Sequence, residues 1–115
     1  MPRRIEILTK LSAQLMRFLF SRSAENLTID VNSSKDQISV LIKSTVKLTE
    51  KDVELLEGYL RVESHEEMAY YYLPLAGEYG SDEDLMLISM LVNSVEINYD
   101  KEKSSLRIGF VIRSQ

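Results

Sequence analysis

Apolar positions along the chain follow two different periods. Residues 5–19 repeat apolar side chains at helical spacing, whereas residues 27–31, 38–42, 95–99 and 106–112 place one at every second position. Spacing of three or four residues is typical of an amphipathic helix, and alternation is typical of a strand with one buried face. The chain is therefore predicted to combine helices with two pairs of strands.

The first predicted helix has a broad apolar face and a basic opposite side. Pro2 suits its first turn, where a backbone N–H has no partner within the helix. The apolar positions are Leu8, Leu11, Leu15, Phe18 and Leu19, with Ile5, Ile7 and Met16 at the edges. Arg3, Lys10 and Arg17 lie on the other side, which is interpreted either as a solvated surface or as a docking surface for an acidic partner.

Three capping patterns predict where further helices begin. Each pairs a hydroxyl side chain with a carboxylate three residues later: Thr49 with Asp52, Ser64 with Glu67, and Ser81 with Asp84. The second of these helices is expected to end near Pro74. The third continues directly into the strand that contains VEINY. The predicted order is α-β-β-α-α-α-β-β, an α/β (α+β) two-layer sandwich with one mixed or antiparallel sheet of four or more strands and helices on one face.

Length and composition indicate one ordered domain spanning residues 1–115. Apolar residues make up 44% and charged residues 28% of the 115 positions, which is typical of a globular protein rather than a linker. The chain has no cysteine, so disulfides, thiolate metal sites and cysteine nucleophiles are excluded. The opening residues resemble neither a secretory signal nor a membrane span. These features favour a cytoplasmic protein with no membrane partner.

Charge is unevenly distributed along the chain. The net charge is −4, yet residues 1–22 carry five basic residues against Glu6, whereas residues 50–84 carry eleven acidic residues against Lys51 and Arg61. An acidic body repels phosphate backbones, which argues against a nucleic-acid partner. The asymmetry favours contact between the two regions, or between two copies of the chain.

The order of elements resembles the histidine kinase-like ATPase fold of the GHKL superfamily, and most closely its small anti-sigma-factor serine kinases. The resemblance covers nearly the whole chain and rests on AQLMRFLFSRSAENLTIDV and on LMLISMLVNSVEINYDKEKSSLRIGFVIR. It implies a site for magnesium-ATP built from three motifs: an Asn-containing box in the first helix, an Asp-x-Gly-x-Gly box after the first hairpin, and glycines before the last helix.

This sequence departs from the family at each of those motifs. Arg17 stands at the metal-binding Asn, although a guanidinium offers no acceptor to a metal. The Asp-x-Gly-x-Gly box falls on residues 45–49, Thr-Val-Lys-Leu-Thr, where no carboxylate and no glycine remains. Thr45, Val46 and Leu48 are among its degenerate positions. Asp82 and Asp84 stand where glycines would admit phosphates to a helix N-terminus. The resemblance with its departures therefore implies no cofactor, no metal and no catalytic residue.

Two functions follow from this interpretation. The first is a non-catalytic regulatory or protein-interaction domain, a pseudoenzyme of bacterial signalling that has lost ATP binding. The alternative is an active ATP-binding serine kinase of the anti-sigma-factor type, whose motifs lie at other positions than those assigned above.

Tyrosines and a single histidine complete the candidate chemistry. His65 is the only histidine and is expected on the surface, because no second histidine could complete a metal site with it. Of three consecutive tyrosines, Tyr71 is expected in the core, while Tyr70 and Tyr72 are candidate interface anchors. The candidate interface, for a protein partner or a homodimer, consists of Phe20, Tyr70, Tyr72, Arg3, Lys10 and Arg17.

Overall fold

A computed structural model describes residues 4–61, 85 and 88–113 in full and the backbone alone of residues 2 and 3. The elements are α1 (Pro2–Ser21), β1 (Asn26–Ser33), β2 (Gln37–Thr45), α2 (Glu50–Leu60), β3 (Ser94–Asp100) and β4 (Ser105–Arg113). Leu85, Ile88 and Ser89 are also helical. The described residues form an α+β fold in which a four-stranded antiparallel sheet packs with the helices α1 and α2.

The predicted helix, two strands and helix at the start of the chain are confirmed, as is the hairpin of residues 94–113. The exact predicted order of eight elements is not reproduced. The helix expected to begin at Ser64, and the first turn of the one expected to begin at Ser81, lie outside the described residues. Within the described ranges the order is α-β-β-α-β-β, with Leu85, Ile88 and Ser89 helical before β3.

The sheet has the strand order β1-β2-β4-β3, and every neighbouring pair is antiparallel. Its register aligns one apolar row across all four strands: Ile29, Ile42, Ile108 and Ile97. Because side chains alternate between faces, this alignment gathers the apolar positions of all strands on the same side. The first hairpin and the last hairpin therefore share one core through the β2–β4 pair.

One face of the sheet is buried under the helices. Its central strands contribute Ile38, Val40, Ile42, Leu106, Ile108, Phe110 and Ile112. Helix α1 packs against β4 and α2 packs against β3. The opposite face carries exposed polar side chains such as Lys43, Glu96 and Arg107. This is the half-solvated arrangement that antiparallel sheets adopt.

Helix α1 buries Ile7, Leu11, Leu15, Phe18 and Leu19, and it buries Gln14 as well. Ile7 is thus a core residue rather than the edge position the sequence suggested. Two residues after α1 ends, Ser23 adopts the left-handed backbone conformation, with φ of 62°. There the Ala24 amide donates to the Leu19 carbonyl at 3.1 Å. This 6→1 bond is the Schellman ending, which turns the chain towards β1 without a glycine.

The passage from the last helical residues into β3 is fixed by Asn93. Its amide donates to the Val111 carbonyl at 2.8 Å, and its side-chain Oδ1 accepts from the Arg113 amide at 2.7 Å. Leu85, Ile88 and Leu91 are buried just before it, as predicted. The chain therefore needs neither glycine nor proline at this junction, because two hydrogen bonds to β4 hold Asn93 in place.

Candidate functional site

The segment between β2 and α2, residues 46–49, lies where the resemblance places the adenine-binding box; we call it the β2–α2 loop. The Tyr99 hydroxyl of β3 reaches across to it. That oxygen accepts from the Leu48 amide at 2.9 Å and donates to the Val46 carbonyl, also at 2.9 Å. A phenol has one proton to donate, so its donor capacity is used on the loop backbone.

The side chains of the β2–α2 loop are also committed to the fold. Val46 is 2% exposed and Leu48 is 6% exposed, and both belong to the hydrophobic core. The Val46 amide donates to the Ser104 carbonyl at 2.8 Å. Of the residues between β2 and the helix cap, Lys47 alone points into solvent. The side chains of Val46 and Leu48 are thus part of the core rather than of an open site.

The N-terminus of α2 is closed by its own side chains. The Thr49 hydroxyl accepts from the Asp52 amide at 3.0 Å, and Asp52 Oδ2 accepts from the Thr49 amide at 3.0 Å. This is the capping box predicted from the sequence. It satisfies two of the backbone groups that would otherwise be open to an anion at this helix end.

A charged contact joins the capping box to the end of α1. Arg22 Nε lies 3.3 Å from Asp52 Oδ1, and the Arg22 guanidinium lies 3.9 Å from the centre of the Phe18 ring. The backbone hydrogen bond from Thr49, opposed in part by burial, holds the pKa of Asp52 below its ordinary value, with help from the Thr49 hydroxyl and Arg22. Asp52 is therefore a fixed structural anion.

A shallow groove of about 270 Å³ opens beside the loop. Leu48, Val53 and Tyr99 form its apolar part, while Glu50 and Glu54 stand on the same lining. Lys101 lines it too, so side chains of both charges surround the apolar part.

A second groove, of about 410 Å³, lies on the other side of the loop. Arg22, Lys47 and Lys103 line it together with Glu25. Arg22 is held by Asp52, and the two lysines are exposed. The arrangement is a basic surface at this end of the sheet rather than a pocket with converging groups.

Of the degenerate positions, the structure describes Thr45, Val46 and Leu48, which are neighbours in the chain, and Arg17. Thr45 ends β2, where its amide donates to Asn26 Oδ1 at 3.1 Å and its carbonyl accepts from the Glu25 amide at 2.8 Å. Arg17 lies on an exposed side of α1. Asp82 and Asp84 lie outside the described residues. Among the described residues, no cluster of three His, Asp or Glu side chains could hold a metal ion.

The candidate interface residues are described only in part. Phe20 is 50% exposed near the end of α1, and Lys10 is half-buried. The side chain of Arg3, and Tyr70 and Tyr72 altogether, lie outside the described residues. The sequence missed the role of Tyr99: alternation placed it on the inner face of β3, but nothing local signalled that its hydroxyl binds a loop 51 residues earlier.

Comparison with known proteins gives no match: no family model, no curated protein and no solved structure aligns with this chain. None of the helices in the described part of the chain has the length and apolar character needed to span a bilayer. Function must therefore be argued from the geometry of the molecule itself.

Proposed function

We propose that this chain is a non-catalytic regulatory domain that acts through protein contacts, built on a histidine kinase-like ATPase scaffold that has lost ATP binding. The proposal includes a single domain over residues 1–115, the eight-element order expected from the sequence, and a cytoplasmic role in bacterial signalling. The observation that carries it is the closure of the β2–α2 loop by Tyr99, at the position where the scaffold would admit adenine.

An adenine site at this position requires a carboxylate to read the exocyclic amine and small residues to leave room for the ring. Here Val46 and Leu48 project into the core instead, and their backbone groups are engaged by Tyr99 and Ser104. A buried backbone group that already has a partner gains little from a ligand, while breaking that bond carries a desolvation penalty. Opening the loop for a nucleotide would therefore cost more free energy than the new contacts return.

Electrostatics support the same proposal. The N-terminus of α2 is occupied by the Asp52 carboxylate, which accepts from the Thr49 amide. At the sequence level, Arg17 replaces the magnesium ligand, and Asp82 and Asp84 replace the phosphate-site glycines. Each change removes a favourable contact to magnesium-ATP or adds a like charge near its phosphates.

A role in protein contacts is supported by the outer surface of α1. Ile5 is 59% exposed, Phe20 50% and Met16 40%, all on the same helix. Single exposed apolar residues are ordinary, but three large ones on one side of a helix make a candidate interaction surface. The partner is a protein or a second copy of this chain, and the net charge of −4 argues against nucleic acid.

Calorimetric titration tests the loss of nucleotide binding. We expect no saturable heat from magnesium-ATP or magnesium-ADP at millimolar concentration, with magnesium chloride alone as the control for ion effects. A dissociation constant below about 100 µM, which corresponds to more than ~5 kcal/mol of binding, would overturn the proposal. It would favour instead the active serine kinase, which should then transfer phosphate to a serine of its partner.

A further inference from the structure

Strand β1 forms one edge of the sheet, and among the described residues no strand pairs with its outer side. The Ser34 amide donates to the Gln37 carbonyl at 2.8 Å, which continues the register of β1 with β2. Bonded residues alternate in an antiparallel ladder, so the backbone groups of Leu27, Ile29 and Val31 point away from β2. A row of amides and carbonyls therefore faces outward, and only another extended backbone matches such a row.

This edge lacks the features that usually prevent pairing with another chain, namely proline, lysine, a bulge or a covering element. β1 contains neither proline nor lysine, and its register with β2 is unbroken over all eight residues. Its last four residues are exposed, and Val31 is 46% exposed although it belongs to the apolar alternation. Helix α1 packs against β4 and α2 against β3, away from this edge. β1 is therefore open to strand addition.

The opposite edge of the sheet, β3, differs in both cover and charge. Helix α2 packs against β3, and the strand carries Glu96 and Asp100, both exposed, with no basic residue. Two copies of β3 would bring like charges together, which destabilises a cross-strand pair. β1 carries one charge, Asp30. Self-pairing is therefore more favourable at β1 than at β3.

We propose that β1 pairs antiparallel with β1 of a second copy about a two-fold axis at Ile29, joining the two sheets into one. Leu27 then lies opposite Val31 of the second copy, and Ile29 lies opposite its own counterpart. Each pair exchanges two backbone hydrogen bonds, since these residues hold the outward-facing groups. The inference goes beyond the proposed loss of ATP binding, because it rests on the sheet edge alone.

Charge selects this register and this direction. Asp30 lies opposite Thr28 of the second copy, whereas a pair centred on Asp30 would place two carboxylates face to face. Glu25 precedes β1 and Lys35 follows it; both are exposed, and neither has an ion pair in the described part of the chain. Antiparallel pairing brings Glu25 of each copy near Lys35 of the other. Opposite charges therefore meet at both ends of the paired strands.

The size of the edge sets the strength of the dimer. One strand of eight residues buries less than the roughly 800 Å² that each partner contributes to an interface of standard size. The contact is therefore weak and reversible. It should weaken further as salt is raised, because the charge pairs at its ends are exposed.

Sedimentation equilibrium from about 5 to about 500 µM protein measures this association. We expect a monomer–dimer equilibrium for the natural chain and one about tenfold weaker for Val31→Pro. Proline removes an outward amide there without removing a bond to β2. Val95→Pro is the matched control, because alternation across β4 directs the Val95 amide away from that strand as well. Circular dichroism checks that both variants fold.

A charge exchange tests the register without placing proline in a strand. Lys35→Glu should weaken the dimer by roughly threefold at low salt, because it sets a carboxylate near Glu25 of the other copy. The double variant Glu25→Lys with Lys35→Glu should restore the natural affinity. Both positions are exposed, so neither change disturbs the core.

Hydrogen exchange locates the interface on one side of one strand. The Ile29 amide faces outward and should exchange about tenfold more slowly in concentrated than in dilute protein. The Asp30 amide faces β2 and should be protected equally in both. Such alternation between neighbouring residues is specific to strand pairing, and a dimer formed through α1 would not produce it.

Three results overturn the inference: a monomer at every concentration, a dimer that Val31→Pro and Lys35→Glu both leave unchanged, or an Ile29 amide whose exchange does not depend on concentration. Each is independent of nucleotide. A dimer that binds magnesium-ATP would refute the proposed function and leave this pairing standing, whereas a monomer that does not bind ATP would do the reverse.

Discussion

The β2–α2 loop and the outward side of α1, formed by Ile5, Met16 and Phe20, differ in how much apolar surface they expose. At the loop, the Val46 carbonyl and the amides of Val46 and Leu48 have partners within the protein, and both side chains are buried. On the outward side of α1, Ile5, Met16 and Phe20 are exposed to water. The loop therefore uses its polar groups within the fold, whereas α1 exposes apolar side chains that the fold does not bury.

The contrast indicates which kind of ligand this molecule suits. A small polar ligand binds through unsatisfied donors and acceptors in a concave site, whereas the Val46 amide and carbonyl and the Leu48 amide already have partners. A protein surface binds through large apolar side chains that gain by leaving water. This contrast supports the proposed role in protein contacts, and three substitutions test it.

The largest expected effect is that of Leu48→Ala. Leu48 is buried in the core, so truncation should lower the free energy of unfolding by about 2–4 kcal/mol. Phe20→Ala removes a side chain that is half exposed in the monomer and should change it by less than ~0.5 kcal/mol at dilute protein. Urea denaturation of both variants measures the difference. Equal midpoints would contradict the contrast between the buried Leu48 and the exposed Phe20.

An intermediate effect is expected for Tyr99→Phe. The change removes the hydroxyl and leaves the Val46 carbonyl and the Leu48 amide without it, which should destabilise the fold by about 1–2 kcal/mol. The control is Tyr59→Phe. Tyr59 is half-buried, and its backbone carbonyl accepts from the Ser89 hydroxyl, a bond that the substitution leaves in place. Hydrogen exchange at the Leu48 amide should accelerate in the first variant alone. Unchanged exchange there would show that another group closes the loop.

The smallest effect is expected for Asp52→Asn, and it should depend on pH. The folded-state pKa of Asp52 is lowered, so its carboxylate stabilises the native state above the unfolded pKa of about 4, and that contribution is lost as pH falls through the folded pKa. The variant should be about 0.5–1 kcal/mol less stable than the natural chain at pH 7. Denaturation from pH 7 down to pH 3 should show the gap closing. A gap that stays constant would mean that the cap acts without its charge.

Local patterns in the sequence predicted the elements that local chemistry determines. The Thr49–Asp52 cap, the inner faces of β2 and β4, and the buried line of Leu85, Ile88 and Leu91 are all confirmed. Each depends on residues within a few positions of one another, where spacing alone states which side chains share a face. The candidate homodimer and the loss of ATP binding stay predictions.

Contacts between distant segments were beyond the sequence. Tyr99 reaches Val46 and Leu48 because β4 lies between β2 and β3, and no local signal specifies that strand order. Val31 illustrates the same limit: alternation assigned it to the inner face, yet it is 46% exposed because β1 is an edge strand at the margin of the core. Strand order decided both outcomes.

The central place of β4 has a consequence for how the protein is made. Synthesis proceeds from the N-terminus, so β1 and β2 leave the ribosome long before residues 105–113 do. Until then, β2 has an unpaired edge, β3 has no neighbour, and α1 has nothing complete on which to lay its buried face. Pairings between distant segments form slowly, and unpaired strand edges promote aggregation. Folding of the nascent chain therefore depends on β4. A stop codon within β4 would leave β2 and β3 without the strand that pairs with both.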